Sequence, residues 1–332
     1  MDKKKIAKKA INAKTSLRNR SNSGGSSNSR GSSTRNNRTN SNSAGRKSGG
    51  KLKYILIAVL VLAVGFALNH FGMLDNVIPA PAEGYVWVHF IDVGQGDAIL
   101  VRTADNAVLI DSGPRSAESS IIEYLQSLGI TTLDVVVGTH PHADHIGSKQ
   151  GILNTFEVLE VWMPDVTHTT ATFERFIDAI YQNDIEVNLT TAGDRLQAGQ
   201  IQMTAIAPGT GGHGNLNDYS IVLHMQFGQT AFLFTADAEL YTENKILAAG
   251  TNIRSDVMLV GHHGSRSSSS DAFLDAIRPS IGVVSVGAGN RYGHPHQVVT
   301  DRLDERNIEI LRTDLLGTVV LVTDGTTVRR YN

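Results

Sequence analysis

Apolar and polar positions divide the chain into three regimes. Residues 15–50, TSLRNRSNSGGSSNSRGSSTRNNRTNSNSAGRKSGG, hold almost no apolar side chain. No core can offset the entropy of ordering them, so the segment is expected to be disordered. Tyr54–Leu74, YILIAVLVLAVGFALNHFGML, is apolar apart from Asn69 and His70 near its far end. Its length of about 21 residues is what a helix needs to cross hydrocarbon. From position 85 onward, short β-rich runs alternate with amphipathic ones. YVWVHFIDV (85–93), DAILVRT (97–103) and NAVLIDS (106–112) read as consecutive strands bounded by Gly, Asp and Asn.

The segment 117–129 places Ile121, Ile122, Leu125 and Leu128 on one helical face and stops at Gly129. LDVVVGTH (133–140) is an apolar strand, followed by a chain reversal into a helix starting near Asp144. The same reading predicts strands near 158–163, 185–190, 201–206, 220–227, 230–236, 256–261, 281–286, 308–312 and 318–329. Helices are predicted near 171–182, 238–248, 270–277 and 297–306. Such alternation predicts one large α/β domain over 85–332, its strands buried between helical layers.

Charge sharpens this division. The whole chain carries a net charge of −2, but residues 1–53 hold 15 Lys/Arg and a single acid, Asp2. The remainder has 15 basic against 31 acidic residues, a net charge of −16. By the positive-inside rule, 1–53 is a cytoplasmic basic tail, 54–74 an uncleaved transmembrane anchor and 75–84 a linker, with the acidic domain outside the cytoplasm. Ala80-Pro81-Ala82 also resembles a signal-peptide cleavage site, although the long basic leader is atypical of one. There is no cysteine, which excludes disulfide partners and thiolate metal sites. The acidic domain charge argues against long-range attraction of nucleic acid, which rests on Lys/Arg.

The candidate chemistry is concentrated in THPHADHIG (139–147), where His140, His142, Asp144 and His145 fall within six positions. A strand ending in three imidazoles and a carboxylate directs them into one small volume. With no thiolate available, N/O ligation suits zinc, manganese or iron.

These residues resemble the HxHxDH motif of the metallo-β-lactamase superfamily, and the remaining motifs follow in order. Asp111 ends an early strand in LIDSG, Asp237 a later one in LFTADAE, and His262 and His263 stand in GHHGS. More narrowly, HFIDVGQGDAILV, VGHHGSRSSSS and VVSVGAGNRYGHPH resemble the C-terminal hydrolase domain of ComEC-type competence proteins. The resemblance implies an αββα sandwich holding two divalent ions, zinc or manganese. It places His140 and His142 on one ion and Asp144, His145 and His263 on the other, with Asp237 bridging; helix capping is the alternative role for Asp237. Asp111 then buttresses the cluster. His262 is the acid group or a supporting residue, His294 a substrate contact, and Asp144 both ligand and catalytic group. Asp97 either touches the site or stabilises its own turn. Asn217 and Ser220 occupy the stretch where many relatives supply a third histidine, for which His168, His213 and His224 are the other candidates. Leu259 stands where ComEC-type chains carry lysine. Asn290 and Tyr292 lie in a Gly-rich loop suited to binding substrate.

The implied activity is that of a metal-dependent hydrolase acting on a phosphodiester, as a phosphodiesterase or nuclease. DNA or an envelope phosphodiester polymer would be the partner. The alternatives are a phosphocholine or teichoic-acid-type esterase and a noncatalytic metal-binding surface protein.

Overall fold

The computed structural model describes residues 78–210 and 214–331. The expected tail, the anchor over 54–74, residues 75–77 of the linker and His213 lie outside the described residues. Among those described, no helix is long and apolar enough to cross a membrane.

Strands β1 (Val86–Phe90), β2 (Ala98–Arg102) and β3 (Ala107–Asp111) form an antiparallel meander. Then β4 (Thr132–Val137), β5 (Glu157–Met163) and β6 (Glu186–Leu189) extend the sheet in parallel from β3. The second sheet starts antiparallel with β7 (Arg195–Ala198), β8 (Ile201–Ala207), β9 (Val222–Phe227) and β10 (Thr230–Phe234). It continues in parallel through β11 (Val257–Leu259), β12 (Ile281–Val284) and β13 (Glu309–Arg312). The chain returns to the first sheet with β14 (Val319–Thr323), which pairs with β1, and β15 (Val328–Arg330).

The two-residue period of each strand sorts its side chains. Val86, Val88 and Phe90 point into the core between the sheets, against Phe232, Phe234 and Leu259. On the outer face of the first sheet, Leu100 and Leu109 pack beneath α1 (Glu118–Ser127), α2 (Ala143–Ile146), α3 (Lys149–Thr155) and α4 (Ala171–Gln182), through Ile121, Ile146, Ile152 and Phe176. On the outer face of the second, Leu233 and Met258 pack under α5 (Leu240–Ala248), α6 (Asp271–Ile277) and α7 (Gln297–Asp304), through Ile246, Phe273 and Leu303. The layers are therefore αββα. Removing one of these buried phenyl rings costs about 3–5 kcal/mol, because the gap it leaves cannot fully close.

Two local expectations are corrected, and one strand was not expected. The single strand over 318–329 is a hairpin, because Asp324 Oδ1 accepts from the backbone N–H of Thr326 and Thr327, both at 2.8 Å, and turns the chain. The helix expected from Asp144 is two short helices, α2 and α3, interrupted at Gly147 and Ser148. Strand β7 carries too little apolar signal to have been predicted.

Candidate metal centre

Each sheet has a parallel run on one side, β3–β6 in the first and β10–β13 in the second, and the carboxyl ends of these strands meet along one edge, where such folds place ligands. Asp111 closes β3, the histidine cluster follows β4, Asp237 follows β10, and His262 and His263 follow β11. Four of the residues there hold left-handed backbone, with φ of 56° at Asp111, 47° at Ala236, 49° at His262 and 54° at His263. Each such non-glycine position costs of order 1–3 kcal/mol and persists only where the surroundings impose it. Gly96 lets two backbones touch: a Cβ there would overlap the carbonyl oxygen of Asp144. The close approach allows Asp97 N–H to donate to that carbonyl at 3.2 Å and seats Asp97 beneath the cluster.

Asp111 organises the first sheet's contribution. Fully buried, it accepts from the Thr139 amide at 2.9 Å, the Thr139 hydroxyl at 2.6 Å and His145 Nδ1 at 2.8 Å. Burial alone would raise its pKa, but the nearby His145 holds it below the ordinary carboxylate value. Because the Thr139 hydroxyl donates to Asp111, it is an acceptor for His140 Nδ1 at 3.1 Å. One carboxylate thus orients two histidines, His145 directly and His140 through Thr139, turning both Nε2 atoms inward. From the second sheet's side, His263 Nδ1 donates to the Ser285 carbonyl at 2.9 Å, which frees its Nε2 in the same way.

The freed atoms converge on Asp237. Its Oδ1 lies 3.2 Å from His145 Nε2 and 3.5 Å from His263 Nε2, and its Oδ2 lies 3.5 Å from His140 Nε2. Asp144 Oδ2 stands 3.5 Å from His263 Nε2, and His142 Nδ1 is 3.0 Å from His140 Nε2. Two of the resulting sets are His140, His142 and Asp237, and Asp144, His145 and His263; the ligand atoms of each lie within 4.8 Å of one another. Asp237 Oδ1 and the Nε2 atoms of His145 and His263 are buried yet make no satisfactory hydrogen bond. Buried polar atoms left in this state are costly unless something else satisfies them. An all-N/O set of this kind fits a divalent cation. Burial, with His140 beside it, pushes His142 down to about 4, so its imidazole is neutral and able to ligate at neutral pH.

The helix-cap reading of Asp237 does not hold. Helix α5 begins at Leu240 with Glu239 at its N-cap, and the Asp237 carboxylate turns into the cluster instead. Asp97 takes the site-facing option, with its oxygens 3.4 Å from His263 Nδ1 and 3.8 Å from His145 Nδ1. Ser220 Oγ approaches His140 Nδ1 at 3.5 Å, whereas the Asn217 amide donates to Glu239 at 3.3 Å. Of the candidate third histidines, His224 Nε2 donates to the Arg254 carbonyl and His168 Nδ1 pairs with Thr170, so neither turns to the centre. Leu259 is packed in the core between the sheets.

His262 stands at the rim, about a quarter exposed, with Nε2 3.7 Å from Asp237 Oδ2. Its Nδ1 lies 3.1 Å from Glu239 Oε1. The His294 ring lies 5.6 Å from that of His262. Asn290 spends its side chain on its own loop, donating to the carbonyls of Gly287 and His294 and accepting from the amides of Tyr292 and His294. Sequence reasoning missed Thr139, Glu239 and Lys149. Glu239 lies two residues beyond Asp237, but its acid reads as part of a helix start. Lys149 is fully buried, its Nζ donating to the Val137 carbonyl at 2.7 Å, and burial pushes it down to about 7.

An αββα sandwich with this His/Asp convergence at its strand ends defines a class, and residues 91–288 match the metallo-β-lactamase superfamily. The chain belongs to that superfamily of metal-dependent hydrolases. Within it, the chain is related to competence proteins of the ComEC type. It is 32% identical over 250 residues to ComE operon protein 3 of Bacillus subtilis, covering 70% of this chain and 32% of that protein. It is also 32% identical over 262 residues to competence protein ComA of Neisseria gonorrhoeae, covering 78% and 34%. The chain thus spans about a third of the length of these curated relatives. Among solved structures, CmlA, a diiron β-hydroxylase from Streptomyces venezuelae, superposes with a TM-score of 0.51 at 16% identity, covering 74% of this chain and 54% of that one. That likeness concerns the fold alone.

Proposed function

We propose that the chain is a dinuclear metal-dependent phosphodiesterase, held by an anchor over 54–74 with its catalytic domain outside the cytoplasm. The observation that carries the chemistry is the Asp237 carboxylate shared between two histidine sets, Oδ1 toward His145 and His263 and Oδ2 toward His140. A pair of divalent cations, zinc or manganese, would supply an activated water and charge neutralisation for the diester. His140, His142 and Asp237 would hold one, and Asp144, His145, His263 and Asp237 the other.

The chain's own groups do the rest. Asp111, Thr139 and the Ser285 carbonyl hold protons on the outer nitrogens of His145, His140 and His263, so that the inward Nε2 is the atom each of these rings would offer to a cation. Glu239 and Ser267 stand beside Nδ1 of His262, at 3.1 and 3.4 Å, and Nε2 faces the cleft, so the ring is placed to pass a proton to a departing oxygen. Burial, then the neighbouring His262 and His263, push His294 down to about 4. At neutral pH it is an uncharged hydrogen-bonding group and not a cation for phosphate.

The topology rests on the apolar run 54–74 behind 15 Lys/Arg. Protease added to intact cells should remove the domain while sparing an N-terminal tag, and protection of the domain would refute that placement. For the chemistry, the full chain loaded with zinc or manganese should cleave bis-(p-nitrophenyl) phosphate. His294→Ala should keep its metal while turnover falls about 10- to 100-fold, the range for losing one hydrogen bond to a charged group. A metal-loaded chain that cleaves no phosphodiester would sink the reading.

A further inference from the structure

The rim of the centre carries an element that the metal chemistry does not use. The loop after β12 is clamped by the four side-chain hydrogen bonds of Asn290, at 2.7 to 3.1 Å. Two aromatic rings stand on it in series. His294 is 5.6 Å from the His262 ring and 6.5 Å from the His263 ring, and Tyr292 stacks on His294 at 5.6 Å with 23° between the planes. Tyr292 is 48% exposed. The exposed Arg291 guanidinium lies 5.0 Å from its ring, and Arg291 Nη2 donates to the Tyr292 hydroxyl at 2.9 Å. The row therefore runs outward from the candidate metal ligands and ends in a large ring held in place by neighbours on a pinned loop. So large an exposed ring adds little to the core, and its fixed orientation removes most of the entropy a binding partner would otherwise have to offset.

We propose that Tyr292, with Arg291 beside it, is a stacking subsite for the planar ring of the unit next to the scissile phosphate, so that the site selects nucleotide diesters over polyol phosphates. This inference rests on the phosphodiesterase reading. Stacking uses a π-face and needs no base-specific charge, which suits a domain whose net charge of −14 over 85–332 gives little long-range attraction for a polyanion. The exposed guanidinium, which lies over the ring, would leave that face to the incoming base and turn to the adjoining phosphate. A glycerol or ribitol phosphate unit has no face to place on the ring.

The test compares kcat/KM of the full chain for thymidine 5′-(p-nitrophenyl phosphate) and methyl p-nitrophenyl phosphate, which share a leaving group and differ in the ring. The wild type should prefer the nucleoside diester. Tyr292→Ala should shrink the ratio about 5- to 100-fold, the usual loss of one base–aromatic stack, while Tyr292→Phe should retain it. If both diesters are cleaved and Tyr292→Ala leaves the ratio unchanged, the subsite is wrong and the diesterase reading stands. If neither is cleaved, that reading fails, and equilibrium binding of thymidine 5′-phosphate against glycerol 3-phosphate decides the subsite. A preference for the nucleotide that is lost in Tyr292→Ala supports it, and equal binding of the two overturns it.

Discussion

The two histidine sets that meet at Asp237 are not equally supported. In the set of Asp144, His145 and His263, each ring has an acceptor of its own on Nδ1, Asp111 at 2.8 Å and the Ser285 carbonyl at 2.9 Å, and Asp97 lies behind both. In the set of His140, His142 and Asp237, His140 is held at one remove through Thr139, and His142 is half-buried with its ring against His140. Groups behind a ligand fix its tautomer and orientation, and losing them typically costs 10- to 100-fold in metal affinity. The deeper, better-braced set should therefore fill first and hold its ion more tightly. Asp237 makes the other set dependent on the same carboxylate.

The largest effect should come from removing the carboxylate that the two sets share. Asp237→Ala should abolish measurable diester turnover, a loss of at least about 1000-fold if both ions are needed, while circular dichroism stays native because the residue caps no helix. Turnover within tenfold of wild type would end the claim that the carboxylate is central. Next, Asp111→Asn should weaken both sets by about 10- to 100-fold, since it supports His145 directly and His140 through Thr139. A loss confined to one ion would show that the Thr139 relay carries nothing. Thr139→Val keeps the shape and deletes the hydroxyl, so it should weaken the His140 set by about tenfold and spare the other, giving a two-step metal isotherm with wider separation. Equal weakening of both steps would contradict the division.

The smallest effect is in pH. Burial alone would lower His145 and His263, but Asp237 with Asp111 holds the first well above its ordinary value of 6.5, and Asp237 with Asp97 does the same for the second. In the metal-free protein both rings therefore carry protons through neutral pH, and an incoming cation must displace them. The raised folded values give the metal-free fold a stabilisation that is complete below about 6.5 and fades as pH climbs through those values. Metal binding strengthens over the same range. The gain in Tm on adding metal should be small near pH 6 and widen toward pH 8 and above, as read by thermal scans with and without chelator. A pH-independent gain would contradict proton displacement.

The sandwich was legible because buried strands such as VWVHF and AVLID read as apolar runs. Its hairpin at Asp324 and the polar strand RLQA were not, since an Asx turn inside a β-rich run and a short edge strand leave no periodic signal. At the site, the sequence placed the ring and carboxylate donors because they cluster beside strand ends. It could not reveal supports that depend on the folded backbone. The Ser285 carbonyl carries no side-chain signature, Thr139 gains its role only from where its hydroxyl points, and Lys149 reads as a surface lysine although it is fully buried. Asn290 shows the converse, a side chain with the chemistry to bind substrate whose hydrogen bonds all go to its own loop.

The central claim, that one carboxylate serves two metal sites of unequal support, is tested most directly by metal titration of the full chain beside Asp237→Ala, with bound metal counted by plasma mass spectrometry after removal of excess. The account predicts two ions per chain in the wild type, taken up in two steps, and a variant that retains neither tightly. A wild type that saturates at one ion, or an Asp237→Ala chain that still holds two, would contradict it.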